Sequence, residues 1–188
     1  MTLQGKKIAV LIAPRGTEDP EFAQPKAAVE GAGGEVVVLG LEAGRAQTVN
    51  HDLDAGSTYQ VDRTVDQASV SDFDGLVVPG GTVGADKLRA SKAAVALVGA
   101  MLDAGKPVAV ICHGPWTVVE AGKAKGRTMA SYPTLKTDIE NAGGTWVDQE
   151  VVESEGLITS RDPDDLPAFC DALVRAVASQ DQAAPATA

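Results

Sequence analysis

Segment 106–116 constrains the fold of this chain more than any other stretch. Residues 107–111 are apolar and mostly small or β-branched, which is typical of a strand buried on both faces of a parallel sheet. The chain then turns at 112–114, and Pro115 suits the first turn of a helix. A strand, a tight turn and a helix place Cys112 at the carboxyl edge of the sheet, beside a helix N-terminus.

This placement makes Cys112 a candidate nucleophile. The geometry is that of a nucleophile elbow, at which serine hydrolases carry a serine. The dipole and free N–H groups of a helix N-terminus favour a thiolate, so we expect a lowered thiol pKa and a more reactive sulfur. The local pattern leaves a second interpretation open, because free cysteines at the ends of core strands often serve only in packing.

Composition excludes several classes of protein. A chain of 188 residues is most simply one domain, here over 1–180, followed by an Ala/Pro-rich segment 181–188 that we expect to be frayed and flexible. The net charge of −10 argues against binding of nucleic acid or an anionic membrane. There is no apolar run of about 18 residues and no signal peptide pattern. Only two cysteines occur, which does not suggest a disulfide framework and favours a reducing cytoplasm.

The order of apolar segments predicts a doubly wound α/β sandwich with a mostly parallel central sheet. Segments 7–13, 35–41, 74–79 and 107–111 are predicted strands, and 151–153 with 157–160 a late hairpin. Helices are predicted up to about Ala32, over 92–104 and 135–142, after Pro115, and over 164–178, where Cys170 lies on the core face. The polar segment 42–72 is predicted to form a small hairpin or excursion at the sheet edge.

In such a sheet the functional site lies beyond the carboxyl ends of the strands. Glu18 follows the first strand and could donate a hydrogen bond to the sulfur or act as acid/base, although a glutamate there also suits a helix start. Gly80 and Gly81 would let backbone N–H groups, with that of His113, approach an oxyanion. His113 is a candidate base, with a solvated or interface histidine as the alternative.

Two further classes are excluded by the histidines. Cys112, Cys170, His51 and His113 show no zinc-like spacing, and we expect neither a metal nor another cofactor. His51 is expected at the surface. A glutamine amidotransferase triad needs a histidine far downstream of the elbow cysteine, and none follows His113.

Over residues 6–178 the chain resembles the ThiJ/PfpI superfamily, and most closely its PfpI-like branch of intracellular proteases and general stress proteins. The matching segments are 16–19 (GTED), 76–81 (LVVPGG), 105–116 (GKPVAVICHGPW), 126–128 (GRT), 138–148 (DIENAGGTWVD) and 160–169 (SRDPDDLPAF). The resemblance implies one domain, also akin to class I glutamine amidotransferases, with a flavodoxin-like fold. It further implies a homodimer or higher homo-oligomer and a strained backbone at Cys112.

The resemblance also implies roles for individual residues. It places the Glu18 side chain against the Cys112 sulfur. In peptidase-like members a glutamate of a neighbouring subunit completes a triad with the cysteine and the following histidine. The matching position here is Ala85, so Asp86 is the possible intersubunit acid, with a shorter reach.

Three functions are consistent with these residues. The favoured one is a cofactor-independent glyoxalase or deglycase of the cytoplasm, acting on methylglyoxal-type dicarbonyls or their adducts, with Cys112 as nucleophile. The alternatives are an intracellular cysteine peptidase acting on peptides, and a cysteine redox sensor or protective protein without turnover.

Overall fold

An apolar strand near the N-terminus lies in the interior of the main sheet. Strand β1 (Lys7–Ile12) is buried along nearly its whole length. Its side chains alternate between the two faces, so that Ile8 and Val10 join one hydrophobic layer and Ala9 and Leu11 the other. A strand that is apolar on both faces requires cover on both, and the fold provides it with helices.

The computed structural model describes residues 1–180, and the predicted flexible segment 181–188 lies outside this range. The strands after β1 are β2 (Arg15–Glu18), β3 (Glu35–Gly40), β4 (Arg45–Asn50), β5 (Asp54–Gln60), β6 (Arg63–Thr64), β7 (Gly75–Val78), β8 (Val108–Ile111), β9 (Thr128–Met129), β10 (Thr145–Trp146), β11 (Val152–Ser154) and β12 (Leu157–Ser160). The helices are α1 (Asp19–Gly31), α2 (Thr82–Ala90), α3 (Lys92–Asp103), α4 (Trp116–Glu120), α5 (Lys136–Asn141) and α6 (Leu166–Ser179).

The main sheet has the order β11-β12-β8-β7-β1-β3-β6. All neighbouring pairs are parallel except β11 and β12, which form the predicted late hairpin. Helices α1 and α6 cover one face, where Phe22 and Phe169 are fully buried, and α3 covers the other with Met101. This is the predicted flavodoxin-like, doubly wound α/β fold.

The polar segment after β3 differs from its prediction in one respect. It does supply an edge of the main sheet, β6, and it does form a hairpin, β4 with β5, but this hairpin is not part of the main sheet. It pairs with β2 in a separate three-stranded sheet. Strand β2 is not among the predicted strands, because its four residues, RGTE, carry no apolar alternation.

Helix α2 was not predicted, since Thr82, Val83 and Gly84 at its start are all weak helix formers. Tertiary packing explains the glycine. A Cβ on Gly84 would lie 2.5 Å from the carbonyl oxygen of Gly16, so only glycine lets α2 approach β2 this closely.

The described helices are too short or too polar to cross a membrane, and the longest, α6, has 14 residues.

Candidate active site

Cys112 sits at the sharp turn that follows β8. Its φ of +62° is left-handed, a conformation that costs a non-glycine residue about 1–2 kcal/mol. Strand β12 and the segment after β9 hold the turn, because the Cys112 N–H donates to the Ser160 carbonyl (3.1 Å) and the Cys112 carbonyl accepts from the Tyr132 N–H (2.8 Å). The strained elbow that the resemblance implied is present, and it lifts the side chain off the sheet edge.

The His113 ring turns back toward the sulfur within the same chain. Its Nδ1 lies 3.2 Å from the Cys112 Sγ. Stacking on Tyr132 (4.7 Å between centroids) and an edge contact with Trp116 (5.2 Å) hold the ring in place. Burial lowers the pKa of His113, against an opposing effect of Asp52, so the ring is neutral at neutral pH and Nδ1 can accept the thiol proton.

Glu21, on the first turn of α1, is the carboxyl beside the sulfur. Its side chain is fully buried, and its Oε2 accepts a hydrogen bond from the Gly80 N–H (2.7 Å). Burial raises the pKa of Glu21 to about 8, and the negative charges of Glu18 and Asp52 add to the effect. At neutral pH Glu21 therefore holds a proton that it can donate toward Cys112 or a ligand.

Glu18 was assigned to this position by the resemblance, and that assignment is wrong. The Glu18 carboxylate accepts hydrogen bonds from the backbone N–H groups of His51 (2.8 Å) and Asp52 (3.2 Å), at the tip of the β4–β5 hairpin. Glu18 precedes α1 and Glu21 lies one helical turn later. The sequence did carry a signal for Glu21. Glu21, Pro25 and Val29 recur at spacings of four and so share one buried face of α1. An acidic residue on a buried helix face is unusual.

The two glycines after β7 have different roles. The Gly80 N–H is bonded to Glu21, so the prediction that it stabilises an oxyanion is wrong. A Cβ on Gly80 would lie 2.8 Å from the Cys112 Cβ, the Glu21 Oε2 and the His113 nitrogen, so glycine lets these groups converge. The N–H groups of Gly81 and His113 do point at the sulfur, where they favour its negative charge.

The Cys112 thiol is not acidified in the resting protein. Burial and the neighbouring Glu21 raise its pKa, and the two backbone N–H groups offset only part of this effect. The expectation of a lowered thiol pKa is wrong, because desolvation outweighs the end of a helix that has only five residues. The sulfur needs a base to become a nucleophile, and His113 Nδ1 is the nearest.

These groups line one cavity of about 430 Å³. Its acidic, histidine and cysteine lining residues are Glu18, Glu21, His51, Asp52, Cys112 and His113, and the hydroxyl-bearing Thr82, Tyr132 and Thr134 line it as well. No lysine or arginine of residues 1–180 lines it. His51 was expected at the surface and is exposed, but it also borders the cavity mouth. Among the described residues, no group of three or more His, Cys, Asp or Glu side chains has a geometry that could hold a metal ion.

A sequence model described as the DJ-1/PfpI family matches residues 6–176, which is nearly the whole chain. The chain belongs to the DJ-1/PfpI family.

Three curated relatives in this family match closely over most of their length. "Putative cysteine protease YraA" of Bacillus subtilis is 40% identical over 87% of this chain and 94% of its own. "General stress protein 18" of the same organism is 41% identical over 88% and 94%. "Protein/nucleic acid deglycase 2" of Escherichia coli is 39% identical over 87% and 93%.

The fold also matches a solved DJ-1/ThiJ/PfpI-like structure. A two-domain protein of Anabaena variabilis, with a DJ-1/ThiJ/PfpI-like and a ferritin-like domain, superposes with a TM-score of 0.84 at 35% identity. The match covers 90% of this chain and 47% of that chain, so this protein spans about half its length.

Two predicted residues of this DJ-1/PfpI chain lie away from the cavity. Asp86 is exposed on α2 and does not line the cavity, while its neighbour Ala85 is buried. Cys170 packs in the core beside α1, as predicted, and burial raises its pKa to about 11. Of the two thiols, only Cys112 faces the candidate active site.

Proposed function

We propose that this DJ-1/PfpI protein is a cysteine-dependent enzyme that converts methylglyoxal-type dicarbonyl compounds, or their early adducts, to hydroxy acids. The observation that carries the proposal is the position of the Cys112 sulfur, 3.2 Å from His113 Nδ1 and beside the buried Glu21, at a cavity of about 430 Å³. Such a cavity admits a small carbonyl compound.

The chemistry starts with transfer of the thiol proton. His113 Nδ1 accepts the proton as the Cys112 sulfur attacks the aldehyde carbon, and a carbon–sulfur bond forms. The carbonyl oxygen takes up the proton of Glu21 and a hemithioacetal results, which leaves Glu21 as a carboxylate able to act as a base in the next step. The Gly81 and His113 N–H groups, which point at the sulfur, stabilise negative charge as it develops there.

A proton then moves between two adjacent carbons. A base removes it from the hemithioacetal carbon, giving an enediol, and an acid returns a proton to the neighbouring carbon, giving a thioester. Glu21 suits this step, because a pKa of about 8 lets it gain and lose a proton near neutral pH. Water then hydrolyses the thioester, which releases lactate from methylglyoxal and restores the thiol. The scheme uses no metal or cofactor.

Two alternative functions use the same cysteine. The contact between Cys112 and His113 and a relative named as a putative cysteine protease support a peptidase. That function needs an acid to orient His113, and we propose Asp86 of a second subunit in a homodimer or larger homo-oligomer. The third function is redox sensing without turnover. It requires only that Cys112 be oxidised beside Glu21.

The assay that tests the proposal is lactate formation from methylglyoxal. We expect activity in the parent protein and none in Cys112→Ala. Glu21→Gln should lose at least about 100-fold, as is usual for removal of a general acid/base, while the matched Glu18→Gln should retain more activity. Absence of lactate from the parent protein contradicts the proposal. Peptide cleavage that depends on Asp86 would instead support the peptidase.

We also propose that the protein acts in the cytoplasm. Two cysteines without a disulfide, both free in the described structure, support this location.

A further inference from the structure

The mouth of the cavity is formed by a strained turn at the tip of the β4–β5 hairpin. His51 and Asp52 both have positive φ values, +53° and +63°, which non-glycine residues rarely adopt. The Glu18 carboxylate accepts a hydrogen bond from the backbone N–H of each. Glu18 therefore holds the turn in place, and the strain persists because the surroundings impose it.

The Asp52 side chain locks the turn onto α2. Its carboxylate accepts hydrogen bonds from the Thr82 N–H (2.6 Å) and hydroxyl (2.9 Å), at the start of the helix. The hairpin is also tied to α1, because Asp19 accepts hydrogen bonds from the Ser57 N–H (3.1 Å) and the Tyr59 hydroxyl (3.2 Å). The carboxylate of Asp52 is thus held at the cavity mouth before any ligand arrives.

The fixed charge around this cavity is negative. Glu18 and Asp52 supply carboxylates, and within the part of the chain that the structure describes no lysine or arginine lines the cavity to balance them. His113 is neutral at neutral pH.

We propose that Asp52 is a specificity-determining residue that admits uncharged and cationic carbonyl compounds and excludes anionic ones. The favoured class is aldehydes and dicarbonyls without a carboxylate or phosphate, including adducts carried on an amine or guanidinium cation. The inference deepens the proposed function and rests on it only for turnover, since the charge of the cavity acts on any reagent that reaches Cys112.

The test measures how fast charged reagents modify Cys112, without any turnover. Two methanethiosulfonates of similar size are used, one with a trimethylammonium group and one with a sulfonate. The Cys112 thiolate attacks the sulfenyl sulfur, forms a mixed disulfide and releases methanesulfinate. Modification of Cys112 is followed by intact mass in a Cys170→Ala background. Each rate is divided by the rate at which the same reagent modifies mercaptoethanol, an uncharged thiol, so that the intrinsic reactivity of the reagents cancels.

The decisive variant is Asp52→Asn. Asparagine tolerates positive φ, its Oδ1 can still accept from the Thr82 N–H, and its NH₂ can donate to the Thr82 hydroxyl, so the turn keeps its geometry and loses the charge. Asp54→Asn is the matched control, because it removes the same charge from an exposed residue two positions along the hairpin and outside the cavity lining.

We expect the parent protein to react faster with the cationic reagent. A unit charge within about 10 Å in a water-like dielectric changes each rate by roughly twofold, so Asp52→Asn should lower the ratio of cationic to anionic rates about fourfold. Asp54→Asn should lower the ratio of cationic to anionic rates by less than about twofold. Added salt should reduce the preference in the parent protein.

Several results would overturn the inference. These are a parent that prefers the anionic reagent, equal effects of the two substitutions, or a Cys112 that neither reagent reaches. Lactate formation is measured in parallel. No lactate with a retained charge preference refutes the proposed reaction alone, whereas lactate without a charge preference refutes this inference alone.

Discussion

Replacing Glu21 with glutamine should make the protein more stable and less active. The ordinary pKa of this carboxyl is 4.5, and burial raises it to about 8 in the folded protein. Between these two values the folded state holds a proton that the unfolded state has released. Stability therefore falls as pH rises through this range, by about 1.4 kcal/mol for each pH unit. Glutamine is uncharged throughout and has nothing to neutralise on folding.

The magnitude at pH 7 follows from the same two values. Protonating Glu21 on folding costs about 3 kcal/mol at pH 7, since the pH lies about 2.5 units above the unfolded pKa. The amide oxygen of glutamine can keep the bond to the Gly80 N–H, but its NH₂ group lacks a partner, which costs about 1 kcal/mol. We expect Glu21→Gln to be about 2 kcal/mol more stable than the parent at pH 7 and no more stable near pH 4.5.

Equilibrium urea unfolding of both proteins at several values between pH 5 and 8, under reducing conditions, measures this difference. With a urea dependence of about 2 kcal/mol per molar, the midpoint at pH 7 should rise by roughly 1 M. Glu30→Gln is the control on the same helix. Glu30 is exposed and paired with Lys26, so its loss should change stability by only a few tenths of a kcal/mol. Parallel stability curves for Glu21→Gln and the parent would refute the reasoning.

Two further measurements examine the neighbourhood of the sulfur. The pH midpoint for alkylation of Cys112 by iodoacetamide should lie above that of a free thiol, because burial and Glu21 raise the thiol pKa. The midpoint should move down in Glu21→Gln. A midpoint below that of a free thiol, unchanged by the substitution, would contradict this. Gly80→Ala should remove activity and cost about 1–3 kcal/mol in unfolding free energy, because its Cβ meets three site atoms at 2.8 Å. Gly31→Ala on α1, with open space around it, should keep the activity and raise the unfolding free energy by up to about 1 kcal/mol, because alanine suits a helix better than glycine. Equal effects of the two substitutions would contradict the packing argument.

Local sequence was sufficient to predict the elbow. The apolar run before Cys112 predicts a buried strand, and the following turn and Pro115 predict the start of a helix, because both signals arise from neighbouring residues. The same reasoning failed for α2. Its glycine has low helix propensity, and only the close contact with Gly16 explains why it is there.

The sequence did not distinguish which glutamate, Glu18 or Glu21, lies beside the sulfur. Both glutamates follow the first strand and both line the cavity, so position along the chain does not separate them. Their side chains leave the backbone in different directions, since Glu18 ends β2 and Glu21 lies in the first turn of α1. The Glu18 side chain therefore reaches the β4–β5 hairpin, and the Glu21 side chain reaches the Cys112 sulfur.

The chain's sequence by itself determined the α/β class, most of the strands of the main sheet, most of the helices and the presence of Cys112 and His113 at the carboxyl edge of the sheet, because periodicity and turn residues act locally. Only the tertiary structure decided which glutamate faces the sulfur, that His113 turns back toward it, and that Asp52 borders the cavity. It also reversed the expected shift of the thiol pKa. These properties depend on burial and on distances between segments far apart in the chain, and neither is encoded in the spacing of residues along it.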